Sequence, residues 1–128
     1  MNLTDPIADL LTRIRNASMA RKDTLMVPYS GMKMAVLKVL KEHNFIQEFN
    51  NMKNNDFEEI NIVLNPMRQD INLRKISKPG QRIYVKTTQL RKIHGGLGVA
   101  VVSTPKGIMS GEDAKKQKLG GELICEVF

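Results

Sequence analysis

The chain is poor in the residues that carry metal, redox and nucleophilic chemistry. It has one cysteine, two histidines, no tryptophan and only 5% aromatic residues among its 128 positions. A lone Cys125 excludes an internal disulfide and fits a reducing compartment. One cysteine with His43 and His94 far apart in sequence offers no zinc-ligand spacing. His43 at a helix end and His94 in a basic loop read as surface or loop residues, so no catalytic residue is expected. Gly95-Gly96-Leu97-Gly98 lacks the spacing and following helix of a dinucleotide fingerprint or a P-loop. No apolar run approaches the roughly 20 residues of a membrane-spanning helix. Met1-Asn2-Leu3-Thr4-Asp5-Pro6 has no basic region followed by an apolar one, and Asp5 and Asp9 argue against a transit peptide. A cytoplasmic protein with no cofactor, no metal and no membrane partner is the expectation.

Negative charge is also missing from one long stretch. Residues 1–64 hold eight Lys/Arg and eight Asp/Glu, whereas residues 65–128 hold twelve and five, so the whole net charge of +7 lies in the second half. No acid occurs from Ile71 to Gly111, which carries Arg74, Lys75, Lys78, Arg82, Lys86, Arg91, Lys92 and Lys106. Solvated surfaces usually mix signs. An acid-free basic segment that still contains strand formers reads as a folded face for a polyanion.

The patterning predicts an α+β protein. Asp5 can cap a helix that Pro6 starts, with Ile7, Leu10, Leu11, Ile14 and Ala17 as its apolar stripe. Leu25-Met26-Val27 is a short strand before Pro28. Ser30 caps a second helix to about His43, with Lys33, Lys38 and Lys41 facing out. Phe45–Phe49 and Phe57–Leu64 read as strands around a hairpin turn at Asn50–Asp56. The composition change at 65–72 marks a linker between an N-terminal α/β subdomain, 1–64, and a mostly β subdomain with one short helix, 73–128. In the second unit, Leu73–Ser77 and Gln81–Val85 flank a turn at Lys78-Pro79-Gly80. Val99–Val102 is a buried strand, and Ser110 starts a short helix that Gly120-Gly121 ends. Leu123–Phe128 closes the chain as a strand on which Leu123, Cys125 and Val127 alternate.

Within the basic half, Ser103-Thr104-Pro105-Lys106-Gly107 is the most informative loop. Two hydroxyls can contact phosphate, ribose or base edges. Lys106 adds charge, Gly107 permits close approach and Pro105 holds the loop's shape. Both hydroxyls are expected to face the ligand, so removing them together should leave thermal stability unchanged. Tyr84 sits among cations, where its ring can stack on an unpaired base. A duplex-DNA regulator would use the same charge, but both long helices fall in the charge-balanced half, and such a regulator needs a basic recognition helix.

These residues resemble the ribosomal small-subunit protein eight family in its bacterial form. The matching blocks are Asp5-Pro6-Ile7-Ala8-Asp9 through Thr12-Arg13-Ile14-Arg15-Asn16-Ala17, Ser77-Lys78-Pro79-Gly80 with Arg82-Ile83-Tyr84, Gly96-Leu97-Gly98-Val99-Ala100, Ser103-Thr104 with Lys106-Gly107, and Gly120-Gly121-Glu122-Leu123-Ile124-Cys125. The resemblance implies a two-domain protein that binds the central domain of small-subunit rRNA early in assembly. It implies neighbouring small-subunit proteins as partners, a monomer outside the ribosome, and repression of its own operon through a similar mRNA stem. By the same resemblance, RNA contacts map onto Ser103, Thr104, Lys106 and Gly107, supported by Tyr84 and Glu122. Lys78, Arg82, Arg13, Arg15 and Asn16 complete the candidate set. Two positions depart from the family pattern: Pro105 stands where a second serine is usual, and Gln81 where arginine is frequent.

Overall fold

In the first helix, α1 (Pro6–Met19), the Asp5 carboxylate accepts from the Ala8 N–H at 3.1 Å, and proline occupies the first helical position, where no donor is needed. The computed structural model describes residues 5–53, 55–68 and 71–128, and of His94 the backbone alone. Strand β1 (Thr24–Pro28) follows, then α2 (Gly31–Glu42), whose cap is the Ser30 hydroxyl accepting from Lys33 N–H at 3.1 Å. Strands β2 (Ile46–Lys53) and β3 (Glu58–Leu64) complete an antiparallel three-stranded sheet in the order β1-β3-β2. Val27, Ile60 and Ile62 on its inner face are buried with the apolar stripes of α1 and α2.

The rest of the chain forms a second antiparallel sheet from β4 (Leu73–Lys75), β5 (Tyr84–Val85), β6 (Val99–Thr104), β7 (Gly107–Ser110) and β8 (Gly121–Val127). A short helix, α3 (Gly111–Lys116), lies between β7 and β8. The last strand is central. It pairs with β4 and β5 and, separately, with β6, which pairs onward to β7. One apolar cluster joins both sheets, with Val99, Val101, Ile124, Cys125 and Val127 among the same buried residues as Leu10, Ile14 and Leu37. Polar ties reinforce that junction. The Arg15 guanidinium donates to the Leu73 carbonyl, and Lys75 Nζ lies 3.3 Å from Asp5 Oδ2.

The α+β class agrees with the patterning, but several local expectations need correction. Lys33 does not face out: it is buried, and its ammonium donates to the Pro28 carbonyl at 3.1 Å, while Lys38 and Lys41 are exposed. The asparagines at 50 and 51 belong to β2, paired with Asn61 and Ile60, so the expected turn begins later; Asn54 lies outside the described residues. Gln69 and Asp70 of the 65–72 segment also lie outside them. The strands expected over Leu73–Ser77 and Gln81–Val85 shorten to β4 and β5, because Ser77 turns inward. Its hydroxyl accepts from Ile83 N–H at 2.8 Å and closes the intervening loop. Helix α3 ends at Lys116, before the Gly120-Gly121 pair, which leads into β8 instead.

The alternation expected on the last strand fails for a definable reason. Between Val101–Cys125 and Val102–Leu123 the register slips, leaving Ile124 as the extra residue of a bulge. Leu123 therefore packs in a small second cluster with Leu90, Val102 and Ala114, while Ile124, Cys125 and Val127 enter the main core.

Cys125 is wholly buried, and burial pushes its thiol up to about 12, against an opposing pull from Lys75 and a small push from Glu126. A cysteine in the unfolded chain ionises near about 8.5. Between these values the folded state keeps the proton and the unfolded state loses it. Stability should therefore fall as pH rises through that window, by at most about 1.4 kcal/mol per pH unit. Urea midpoints recorded from pH 7 to pH 10.5 are expected to decline, and Cys125→Ala should flatten the decline. Equal slopes in both proteins would place the effect on other groups.

Candidate nucleic-acid interface

Strand register assembles the site. Tyr84 of β5 stands opposite Glu122 of β8, and Glu122 stands opposite Ser103 of β6. Residues directly opposed in antiparallel strands project to the same face. An aromatic ring, a carboxylate and a hydroxyl from three distant segments thus form one row across the sheet. The row depends on Gly121, where a β-carbon would collide with the Ser103 carbonyl oxygen, so β8 approaches β6 closely only with glycine there.

Each member of the row is differently exposed. Tyr84 is 70% exposed, a large fraction for a ring that could have packed on the sheet. Ser103 is half-buried, and among the described residues no partner occupies its hydroxyl. The Glu122 carboxylate is largely covered and pairs with the more exposed Arg82 guanidinium at 3.1 Å. That pairing cancels the one negative charge in the row, and the remaining guanidinium donors of Arg82 stay available at the surface.

Beyond the row, the 103–107 segment is a hairpin and not a free loop. Ser103 and Thr104 are strand residues, Pro105 and Lys106 form the turn, and Gly107 opens β7, which the composition alone did not reveal as a strand. Thr104 is only 8% exposed. Its hydroxyl donates to the Gly107 carbonyl at 2.7 Å and accepts from Lys106 N–H at 3.2 Å. This hydroxyl is therefore committed inside the turn, contrary to the expectation that both hydroxyls face outward. Gly107 adopts φ +121°, a conformation side chains rarely tolerate, and Lys106 is exposed at the tip.

The remaining candidates fall outside the row. Lys78 is exposed at a closed turn in which Lys78 and Gln81 exchange backbone hydrogen bonds of 2.9 Å. Arg13 is paired with Asp9 at 2.9 Å on the exposed side of α1, and Asn16 is exposed nearby. Arg15 is half-buried and braces α1 against β4 through Leu73. Among the described residues, no hydrogen bond or ion pair links these three α1 residues to the hairpin. Conversely, the positioning roles of Ser77 and Gly121 were not legible beforehand, because Ser77 acts through a bond to Ile83 across a loop and Gly121 through a contact with Ser103 across the sheet. No helix among the described residues is long and apolar enough to cross a membrane.

The sequence pattern of the family described as ribosomal protein S8 matches residues 5–128. The chain belongs to the ribosomal protein S8 family. Named relatives support this over full length. The small ribosomal subunit protein uS8 of Roseiflexus castenholzii is 45% identical over 132 residues, covering 100% of both chains. That of Halothermothrix orenii is 42% identical over 132 residues, again covering 100% of each. That of Sorangium cellulosum is 43% identical over 130 residues, covering 98% of this chain and 99% of the relative. Proteins of the S8 family are structural and not enzymes.

The two neighbouring hydroxyls should separate cleanly in stability measurements. Thr104→Val removes a donor to the Gly107 carbonyl and an acceptor for Lys106 N–H, two bonds at an expected combined cost of about 1–3 kcal/mol. Ser103→Ala should stay within about 0.5 kcal/mol of the parent. Thermal and urea unfolding of the two single variants checks this. Equal midpoints would mean that the turn does not depend on Thr104.

Proposed function

We propose that the chain is a structural component of the small ribosomal subunit that binds its rRNA through the Tyr84–Glu122–Ser103 row and the hairpin tip beside it. The single observation carrying this reading is the register that aligns these three residues on an otherwise cationic part of the sheet. Tyr84 offers a stacking surface for an unpaired base, and Ser103 a hydroxyl for a base edge or a ribose. Arg82 and Lys106 supply phosphate contacts, while Thr104 and Gly107 act by shaping the turn. The identity of the relatives, each a small-subunit protein, supports the ribosome as its place, which in bacteria is cytoplasmic.

The finer reading is a primary rRNA-binding role on the central domain of small-subunit rRNA, exerted early in assembly by a monomer. In that reading residues 73–128 present the RNA face and residues 1–64 brace it, with 65–72 joining them. An operon mRNA folded into a similar stem would meet the same row, which is the basis for autoregulation. Neighbouring ribosomal proteins would then contact surfaces away from the row.

Filter binding to protein-free bacterial small-subunit rRNA tests the proposal. Tyr84→Ala and Ser103→Ala are each expected to weaken binding by about 1–3 kcal/mol without lowering the thermal midpoint appreciably. With about five phosphates neutralised, log K should fall against log[salt] with a slope of about −4. Binding by both variants that matches the parent, or a preference for duplex DNA of equal length, would refute it.

A further inference from the structure

A cleft of about 300 Å³ opens at the other end of β6 from the hairpin. Its apolar lining includes Leu90, Ile93, Val99 and Ala100, and its rim carries Arg91, Lys92 and Lys115. The three cations are exposed. Glu112 also reaches the cleft, but its carboxylate lies 3.7 Å from Lys116 Nζ. His43 approaches from the end of α2, with Nδ1 3.1 Å from the Val39 carbonyl.

An apolar slot of this size is at the small end of ligand clefts and suits a flat heterocycle. A rim of three cations suits the phosphates on either side of it. From these features we infer that the cleft is a second RNA contact, receiving one unpaired nucleotide with its base against Leu90, Ile93 and Ala100 and its flanking phosphates on Arg91, Lys92 and Lys115. The inference rests on the RNA-binding reading above but concerns a separate place on the molecule. Ala100 and Thr104 are four residues apart on one strand, roughly 13 Å at ~3.3 Å per residue. The cleft and the Tyr84 row therefore touch different nucleotides.

Chemical probing of protein-free bacterial small-subunit rRNA, with and without the full-length chain, tests this directly. Three variants are needed: Arg91→Gln/Lys92→Gln/Lys115→Gln, its charge-keeping counterpart Arg91→Lys/Lys92→Arg/Lys115→Arg, and Ala100→Val, which narrows the slot. The charge-removing variant is expected to bind on the order of tenfold more weakly, with a salt slope shallower by about 2–3. It should release backbone protections other than those released by Tyr84→Ala. The charge-keeping variant should retain affinity, and Ala100→Val should expose a single base to dimethyl sulfate while its thermal midpoint is held. A charge-removing variant that matches the parent in affinity, slope and footprint overturns the inference and leaves the Tyr84 row standing. Backbone changes with no base released by Ala100→Val overturn it as well. So would a labelled oligoglutamate peptide that binds the parent through these three cations while the rRNA footprint is unchanged. A parent chain that fails to bind rRNA at all removes both readings.

Discussion

The placement of the final strand governs the rest of the molecule. β8 is hydrogen-bonded on one side to β4 and β5 and on the other to β6, so it holds together segments that begin at Leu73, Tyr84 and Val99. Its first residue must be glycine for the backbone to lie against Ser103, and its bulge at Ile124 sends neighbouring side chains into two different clusters. Nothing in the Tyr84–Glu122–Ser103 row is close in sequence. Every distance within that row is inherited from how β8 seats. A defect in the carboxyl-terminal half of β8 would loosen the shared core, whereas one near Gly121 would disperse the row and leave most of the core intact.

A carboxylate at the middle of the proposed RNA-binding row needs a physical account. Left ionised and alone beside phosphates, Glu122 would oppose binding. The Arg82 guanidinium at 3.1 Å changes the balance, since the pair is locally neutral and the carboxylate holds the arginine in one orientation. An arginine so oriented presents its remaining donors in a fixed direction, which suits bidentate recognition better than a freely rotating cation does. In the proposed binding mode the exposed lysines Lys78, Lys86 and Lys106 would act as point charges that set overall affinity more than register.

Much of this was legible in the amino-acid order, and the failures have a common cause. Asp5, Pro6 and Ser30 announced helix starts because capping is local, needing only the next three residues. Val99–Val102 announced a buried strand because four apolar residues in a row leave little else. The acid-free stretch pointed to the sheet that carries the row. What could not be read was every feature set by a contact outside the three-residue reach of a cap, whether five or six residues away or across the sheet. The buried Lys33 depends on the Pro28 carbonyl, the shortened strands on the Ser77–Ile83 bond, and the face taken by Leu123 on a one-residue slip against β6. Ser103 and Thr104 were indistinguishable as residue types. Strand alternation alone sends one outward and the other under the turn.

That last distinction bears on how the tip would recognise a shaped RNA, as proposed, rather than charge in general. A flexible loop bearing two hydroxyls and a lysine would have to be ordered on binding, and the ordering would cancel part of each contact. Here the ordering is already done by Thr104 bonding across the turn, by Pro105 with its restricted φ, and by Gly107 at a φ few residues tolerate. A serine at position 105 would add a hydroxyl and a backbone donor but would surrender that restriction. The exchange therefore favours a rigid tip with fewer contacts over a softer one with more. A rigid tip discriminates by fit: in the proposed mode a stem whose unpaired bases lie at the spacing of Tyr84 and Ser103 would satisfy both at once, and an unstructured polyanion of the same charge would satisfy only the lysines.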